Sequence, residues 1–205
     1  MNDSIRPRLR MAILAAGHSR RMGRPKALVR IHGQSLLRRT ARLLASVAHE
    51  PLICIAPPRA ARYRVELRGL RAQLRANPQR TQGLASSVRS ALKAARYASA
   101  LLCVPVDLAG LRRSDLQRLL RRSRSAPRRV VARRLGAGPR GATPVILPRR
   151  YFAAASAVVG DVGLRDFLAT LPAEDLRLIE LRSAIDDVDT PADLVRARRR
   201  FARAL

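Results

Sequence analysis

Tryptophan is absent, and tyrosine and phenylalanine supply only three residues each of the 205. With so few aromatic faces, stacking on successive bases, a common means of gripping single-stranded nucleic acid, has little to work with. Cysteine occurs twice, at Cys54 and Cys103, each inside an apolar run and without metal-ligand spacing. Both read as core thiols. The three histidines, His18, His32 and His49, are scattered and make no metal cluster. No stretch approaches the about 18 consecutive apolar residues that a membrane-spanning helix requires. The short apolar patch near the start runs on into Arg20-Arg21 and reads as a first strand, not a signal peptide. A cytoplasmic protein with no membrane partner is the expectation.

Lysine is also scarce. Of 42 basic residues only Lys26 and Lys93 are lysine, and the formal net charge is +28. Such a field attracts polyanions in general. The arginines, however, are dispersed along the whole chain instead of forming a tail or stripe, and no groove-reading motif accompanies them. They read mainly as the solvated outer face of helices, their stems covering apolar surface and their heads in water. Against that background a retained lysine at position 26 points to a need for a compact ammonium there.

Apolar runs alternate with segments of helical period, which predicts an α/β fold with a mainly parallel sheet flanked by helices. Strands are expected at Arg10–Ala15, Leu52–Ala56, Ala72–Ala76, Ala100–Val106 and Val130–Arg134, and helices at Ser35–Val47, Arg59–Leu67, Leu84–Tyr97 and Ser114–Arg122. A glycine-rich loop with Gly136, Gly138, Pro139 and Gly141 follows, then a short strand at Thr143–Leu147, a helix from Arg149 and a strand near Arg177–Leu181. A last helix is marked by Thr190 as N-cap, Pro191 at the first helical position and Asp193 at the third. At 205 residues the chain suits one domain, spanning 1–205.

The segment Met11-Ala-Ile-Leu-Ala-Ala-Gly-His-Ser-Arg-Arg-Met-Gly-Arg-Pro-Lys26 carries the strongest chemical signal. An apolar strand enters a loop in which Gly17 and Gly23 allow a tight turn and close approach of backbone N–H groups to an anion, while Arg21 and Lys26 add full charges. Five residues separate the two glycines, and Lys26 neither follows the second directly nor precedes Ser or Thr, so this is not a P-loop. The spacing of a dinucleotide fingerprint is absent too, which excludes that motif's hydride chemistry.

Leu14-Ala-Ala-Gly-His-Ser-Arg-Arg-Met-Gly-Arg-Pro-Lys26 resembles the L-A-A-G-x-S-x-R-M-G-x-x-K signature of the nucleotidyltransferases that extend molybdenum cofactor with a nucleotide. Arg24-Pro25-Lys26 and Ala76-Asn-Pro-Gln-Arg-Thr-Gln-Gly-Leu-Ala-Ser-Ser-Val-Arg-Ser-Ala91 look like the cytidylyltransferase branch; the guanylyltransferase branch usually has an aspartate before the lysine. The resemblance implies a Rossmann-like fold of the nucleotide-diphospho-sugar transferase type. It also implies a reaction in which the terminal phosphate of molybdenum cofactor attacks the α-phosphorus of CTP (or GTP) and pyrophosphate leaves, and a molybdoenzyme or its maturation chaperone as recipient of the product.

By the same resemblance Arg21 and Lys26 serve catalysis, and Leu14, Ala15, Ala16, Gly17, Ser19, Gly23, Asn77, Gly83, Ser86 and Ser87 border the nucleotide. Asp107, at the carboxyl end of an apolar strand, and Asp189 hold Mg²⁺, with Asp187 the other carboxylate of that segment. Thr143, Pro144 and Asp161 face the acceptor, although Asp161 is equally well placed to cap a helix beginning at Val162. The sequence departs from the family in two places. Asp107-Leu-Ala109 lacks the usual proline two positions on, and Thr143 stands where cytidylyltransferases commonly have histidine, which leaves sugar or alcohol phosphates open as acceptors.

No specific nucleic-acid partner is expected. Duplex and single-strand binding should be weak and should collapse by ~0.2 M salt, as counterion release dictates; tight, sequence-selective binding at that salt would reverse this expectation.

Overall fold

The apolar run Met11-Ala-Ile-Leu14 has no polar face to turn to water, and the chain buries it in a strand at the centre of a sheet. In the computed structural model, which describes residues 8–136, 138, 140–160, 164–181 and 187–202, this strand is β1 (Leu9–Leu14). A small hairpin of β2 (Arg30–Ile31) and β3 (Gln34–Ser35) follows, then α1 (Leu36–Ala45), β4 (Leu52–Ala56), α2 (Ala61–Glu66), β5 (Ala72–Ala76) and α3 (Leu84–Ala94). The second half comprises β6 (Ala100–Pro105), α4 (Arg113–Ser125), β7 (Val130–Arg134), β8 (Gly141–Pro148), α5 (Phe152–Ser156), α6 (Leu164–Ala169), β9 (Leu176–Ile179) and α7 (Pro191–Ala202).

Seven strands form one sheet in the order β5-β4-β1-β6-β8-β7-β9. Pairing is parallel throughout except at β8, which runs antiparallel to both β6 and β7. Strand alternation divides the core into two layers. Met11, Ile13, Cys54, Leu102 and Val104 pack on one face with Leu37 and Leu44 of α1 and Leu116 and Leu119 of α4. Ala12, Leu14, Ile53, Leu101 and Cys103 pack on the other with Val88 and Leu92 of α3 and Phe167 of α6. This is the expected α/β architecture, a single domain with a mainly parallel sheet flanked by helices.

The helices are trimmed by their caps. Ser35 stands just outside α1, where its Oγ accepts from the Arg38 N–H at 3.1 Å and donates to Glu66 Oε2 at 2.7 Å. In α7, Thr190 caps as anticipated: its Oγ1 accepts from the Asp193 N–H at 3.2 Å, and its own N–H donates to Asp193 Oδ2 at 2.7 Å.

Two expectations need correction. Gly141 and Ala142 are not loop but the start of β8, which at Gly141–Pro148 is longer than the Thr143–Leu147 strand foreseen. Gly141 is closely approached there: a Cβ would lie 3.1 Å from both Leu168 Cδ1 of α6 and Leu178 Cδ2 of β9, so any larger residue would need both leucine side chains to shift by a few tenths of an ångström. The second miss is the β2–β3 hairpin, two residues per strand and too short to announce itself by periodicity. His32 does occupy its turn, at φ 47°.

No helix among the described residues is long and apolar enough to cross a membrane. Cys54 and Cys103 are free thiols on opposite faces of the sheet, and burial pushes each up to about 12. Native protein at pH 8 should therefore show no thiol reactive towards an aromatic disulfide reagent, and two after denaturation in guanidinium; one fast native thiol would contradict this core.

Candidate active site

β1 delivers the chain to the carboxyl edge of the sheet, where open α/β folds bind ligands. Leu14, Ala15 and Ala16 are buried and act as its anchorage: the Ala15 N–H donates to Ile55 O at 2.8 Å, and Ala15 O accepts from Tyr63 Oη at 3.3 Å. Beyond them the loop folds on itself. A single 3₁₀ turn at Arg20–Met22 ends at Gly23, whose φ of 67° suits glycine, and Met22 plugs the turn into the core. Ser19 Oγ accepts from the Lys26 N–H at 3.0 Å, so the serine of the signature ties the loop's end to its beginning.

That closure presents Lys26 and Arg21 to carboxylates far away in sequence. Lys26 Nζ lies 3.3 Å from Asp107 Oδ2 and donates a second hydrogen bond to Asp189 Oδ1, while Arg21 Nη2 reaches Asp189 Oδ2 at 2.6 Å. Asp107 and the 187–189 segment are held together by the backbone: the Val188 N–H donates to Asp107 O at 3.0 Å, and Leu108 and Asp187 form an isolated bridge. Asp193 steadies Asp189 from α7, accepting its N–H at 3.1 Å. Hydrogen bonds from the Thr190 hydroxyl, then from the Thr190 and Asp189 N–H groups, hold the Asp193 carboxyl below the usual range. The Asp187 carboxyl goes the other way; burial raises it most, Asp107 and Asp189 add to that, and Arg133 and Arg165 oppose it.

These groups line a cleft of about 450 Å³. Of the residues anticipated from sequence, Gly17, Ser19, Arg21, Lys26, Gly83, Ser87, Asp107, Thr143 and Asp189 face it, as do His18 and Asp187. Asn77 and Ser86 do not. Both are buried, and Asn77 Nδ2 donates to Ser86 Oγ at 2.8 Å and Ser87 Oγ at 3.1 Å while its Oδ1 accepts from the Gln79 N–H at 3.0 Å. Their contribution is to set Ser87 in place. Pro144 is buried behind Thr143, and Gly23 is exposed at the loop's far side. Asp161 lies outside the described residues.

Sequence reading missed Arg20, Arg80, Arg133 and Arg165, all of which line the cleft. A position-specific signal existed for Arg133, an arginine closing the apolar run Val130-Val-Ala132 at the ligand-binding edge of the sheet, but it vanishes in a chain so rich in arginine. In all, three carboxylates face six fixed cations here. Such an excess accommodates a polyphosphate, and the Asp107–Asp189 pair matches a hard divalent cation held through one or two carboxylates plus phosphate oxygens.

A glycine loop that aims cations at paired carboxylates, over the carboxyl edge of a mainly parallel sheet, defines an enzyme that works on a nucleoside triphosphate. Comparison with known proteins gives the family. The profile of the MobA-like NTP transferase domain matches residues 11–176, and the chain belongs to that family of nucleotidyltransferases. A probable molybdenum cofactor guanylyltransferase of Opitutus terrae is 30% identical over 203 residues, covering 93% of this chain and 95% of the relative. The crystal structure of an Rv0371c homologue from Mycobacterium sp. strain JC1 superposes with a TM-score of 0.79 at 26% identity, covering 98% of this chain and 100% of that one. Molybdopterin-guanine dinucleotide biosynthesis protein A from Archaeoglobus fulgidus shares the fold with a TM-score of 0.69 at 15% identity, over 95% and 99% of the respective chains.

Asp193→Ala removes the carboxylate that both caps α7 and holds the Asp189 N–H. It should lower stability by about 1 kcal/mol in denaturant unfolding and depress turnover beyond what the fraction unfolded explains. Unchanged turnover would show that Asp189 needs no such support.

Proposed function

We propose that the protein transfers GMP from GTP to the terminal phosphate of molybdenum cofactor, releasing pyrophosphate, with Mg²⁺ assisting. The observation that carries the reaction is the junction of Arg21 and Lys26 with Asp107 and Asp189. Phosphoryl and nucleotidyl transfer need little covalent help from a protein; positioning and charge neutralisation dominate. Arg21 and Lys26 are placed to offset charge growing on the pyrophosphate, and Asp107 and Asp189 are the residues that would hold Mg²⁺, which when bound polarises the triphosphate oxygens.

Guanine as the base is supported by the Opitutus relative, named for guanylyl transfer and aligned over nearly the whole chain. A second reading, CMP transfer from CTP, is favoured by Arg24-Pro25-Lys26, where the guanylyl branch usually carries an aspartate before the lysine. Thr143, in place of the histidine common in the cytidylyl branch, also keeps a sugar or alcohol phosphate in view as acceptor. A molybdoenzyme or its maturation chaperone is the natural recipient of a finished cofactor.

The deciding experiment is a matrix of nucleoside triphosphates against phosphate acceptors scored for pyrophosphate. GTP with molybdenum cofactor should be the productive pair; CTP in its place would select the second reading, and release with neither would reject both. Lys26→Ala and Asp107→Ala should each lower turnover about a thousandfold or more with unfolding midpoints near that of the parent. Retained activity in either variant would refute its role.

A further inference from the structure

The Lys26–Asp107–Asp189 cluster sits midway along the cleft. On one side, over β1, β4 and β5, stand the glycine loop and the start of α3. On the other, over β8 and β7, stand Arg133, Thr143, Leu164, Arg165 and Asp187. Triphosphate binding by the glycine loop leaves this second half without a role.

Arg133 is unlike its fellow arginines. Among the described residues it is the only arginine that is buried, at 7% exposure. A bias towards arginine explains cations on a wet surface; it does not explain one sunk at the end of a strand, where desolvation penalises the charge. The register of β7 and β8 shifts between Ala132 and Arg133, and beside that irregularity both Arg133 and Thr143 line the cleft. Arg133 Nη2 stands 3.9 Å from Asp187 Oδ2 in an ion pair. Arg165, exposed in the first turn of α6, faces the same space and also borders a groove running towards β9.

In-line displacement then fixes what these arginines face. The nucleophile enters opposite the leaving group, and the leaving pyrophosphate belongs to the Arg21–Lys26 side. We propose that Arg133 and Arg165 form the subsite for the acceptor's phosphate, a phosphomonoester dianion, and hold it opposite the glycine loop. One acceptor oxygen forms the new bond to the α-phosphorus as the bond to the β-phosphate oxygen breaks, and the electron pair leaves with pyrophosphate. Two guanidinium groups suit a dianion because each offers parallel N–H donors to its oxygens. The assignment rests on the transferase reading of the same cleft. It adds two specificity-determining residues to that reading, beyond Thr143.

The test is a titration of inorganic phosphate into protein saturated with Mg²⁺ and the α,β-methylene analogue of GTP, or of CTP should that bind more tightly. Arg165→Ala, at an exposed position, and Arg133→Lys, which keeps the buried charge but loses the fork, are compared with the parent protein. Phosphate affinity should fall at least tenfold in each, while analogue affinity stays within twofold. With turnover as readout, KM for the acceptor should rise at least tenfold and KM for the triphosphate should not move, a split that a general loss of structure does not produce. No phosphate binding in the parent, or equal binding in both variants, would overturn the subsite. Intact phosphate binding without turnover of any acceptor would instead reject the transferase reading and leave the arginine subsite standing.

Discussion

One ammonium group organises the cleft. Lys26 is shared by Asp107, at the end of a central strand, and Asp189, at the entry to the last helix, so a single side chain joins three parts of the chain remote in sequence. Two carboxylates brought this close repel each other, and the repulsion grows as water is excluded. Backbone hydrogen bonding between Asp107 and the 187–189 segment enforces their proximity, and Lys26 with Arg21 offsets its cost. The arrangement is electrostatically balanced: the two carboxylates hold the cations in place as the cations offset the carboxylates.

Lysine suits this role for a physical reason. A compact ammonium can point donors at two carboxylates that do not share a plane, whereas a guanidinium fork commits its donors to one. Arg21, at the rim and more exposed, makes such a directed contact with Asp189 alone. In a chain with 42 basic residues of which two are lysines, the exception at position 26 was informative because composition had made the alternative common. The same composition hid Arg133, whose significance emerges only from its burial.

What could be read in advance followed from how local each determinant is. β4, β5 and β7 have the boundaries that were expected; β4 is the clearest case, because a strand flanked by parallel neighbours on both sides needs apolar side chains on both faces and Leu52–Ala56 is buried throughout. Thr190, Pro191 and Asp193 announced their helix through a cap that lies within four consecutive residues. β8 was foreshortened because its direction and register depend on pairing with β6 and β7, information that no short window contains. For the site, Lys26, Asp107 and Asp189 were all visible as residue types at strand and helix ends, but their convergence is a property of the sheet order. Asn77 marks the opposite limit: its amide looked like a nucleotide contact, and the fold spends its donors on Ser86 and Ser87.

That internal use of Asn77 shapes the wall of the cleft. With Asn77 and Ser86 buried behind the wall of the cleft, what the wall exposes there is Ser87, Gly83 and the neighbouring backbone. Backbone N–H and carbonyl groups recognise a base edge only if held rigidly, since a misplacement of about an ångström forfeits most of a hydrogen bond's directional preference. A saturated amide behind the wall supplies that rigidity, because loosening it would strand buried donors without partners. On the proposed reading, choice of nucleotide would rest on where this frame sets the first turn of α3, and choice of acceptor on the irregular end of β7 and β8. The two can diverge independently on one catalytic core, which is why the glycine loop alone identifies a reaction but neither of its substrates.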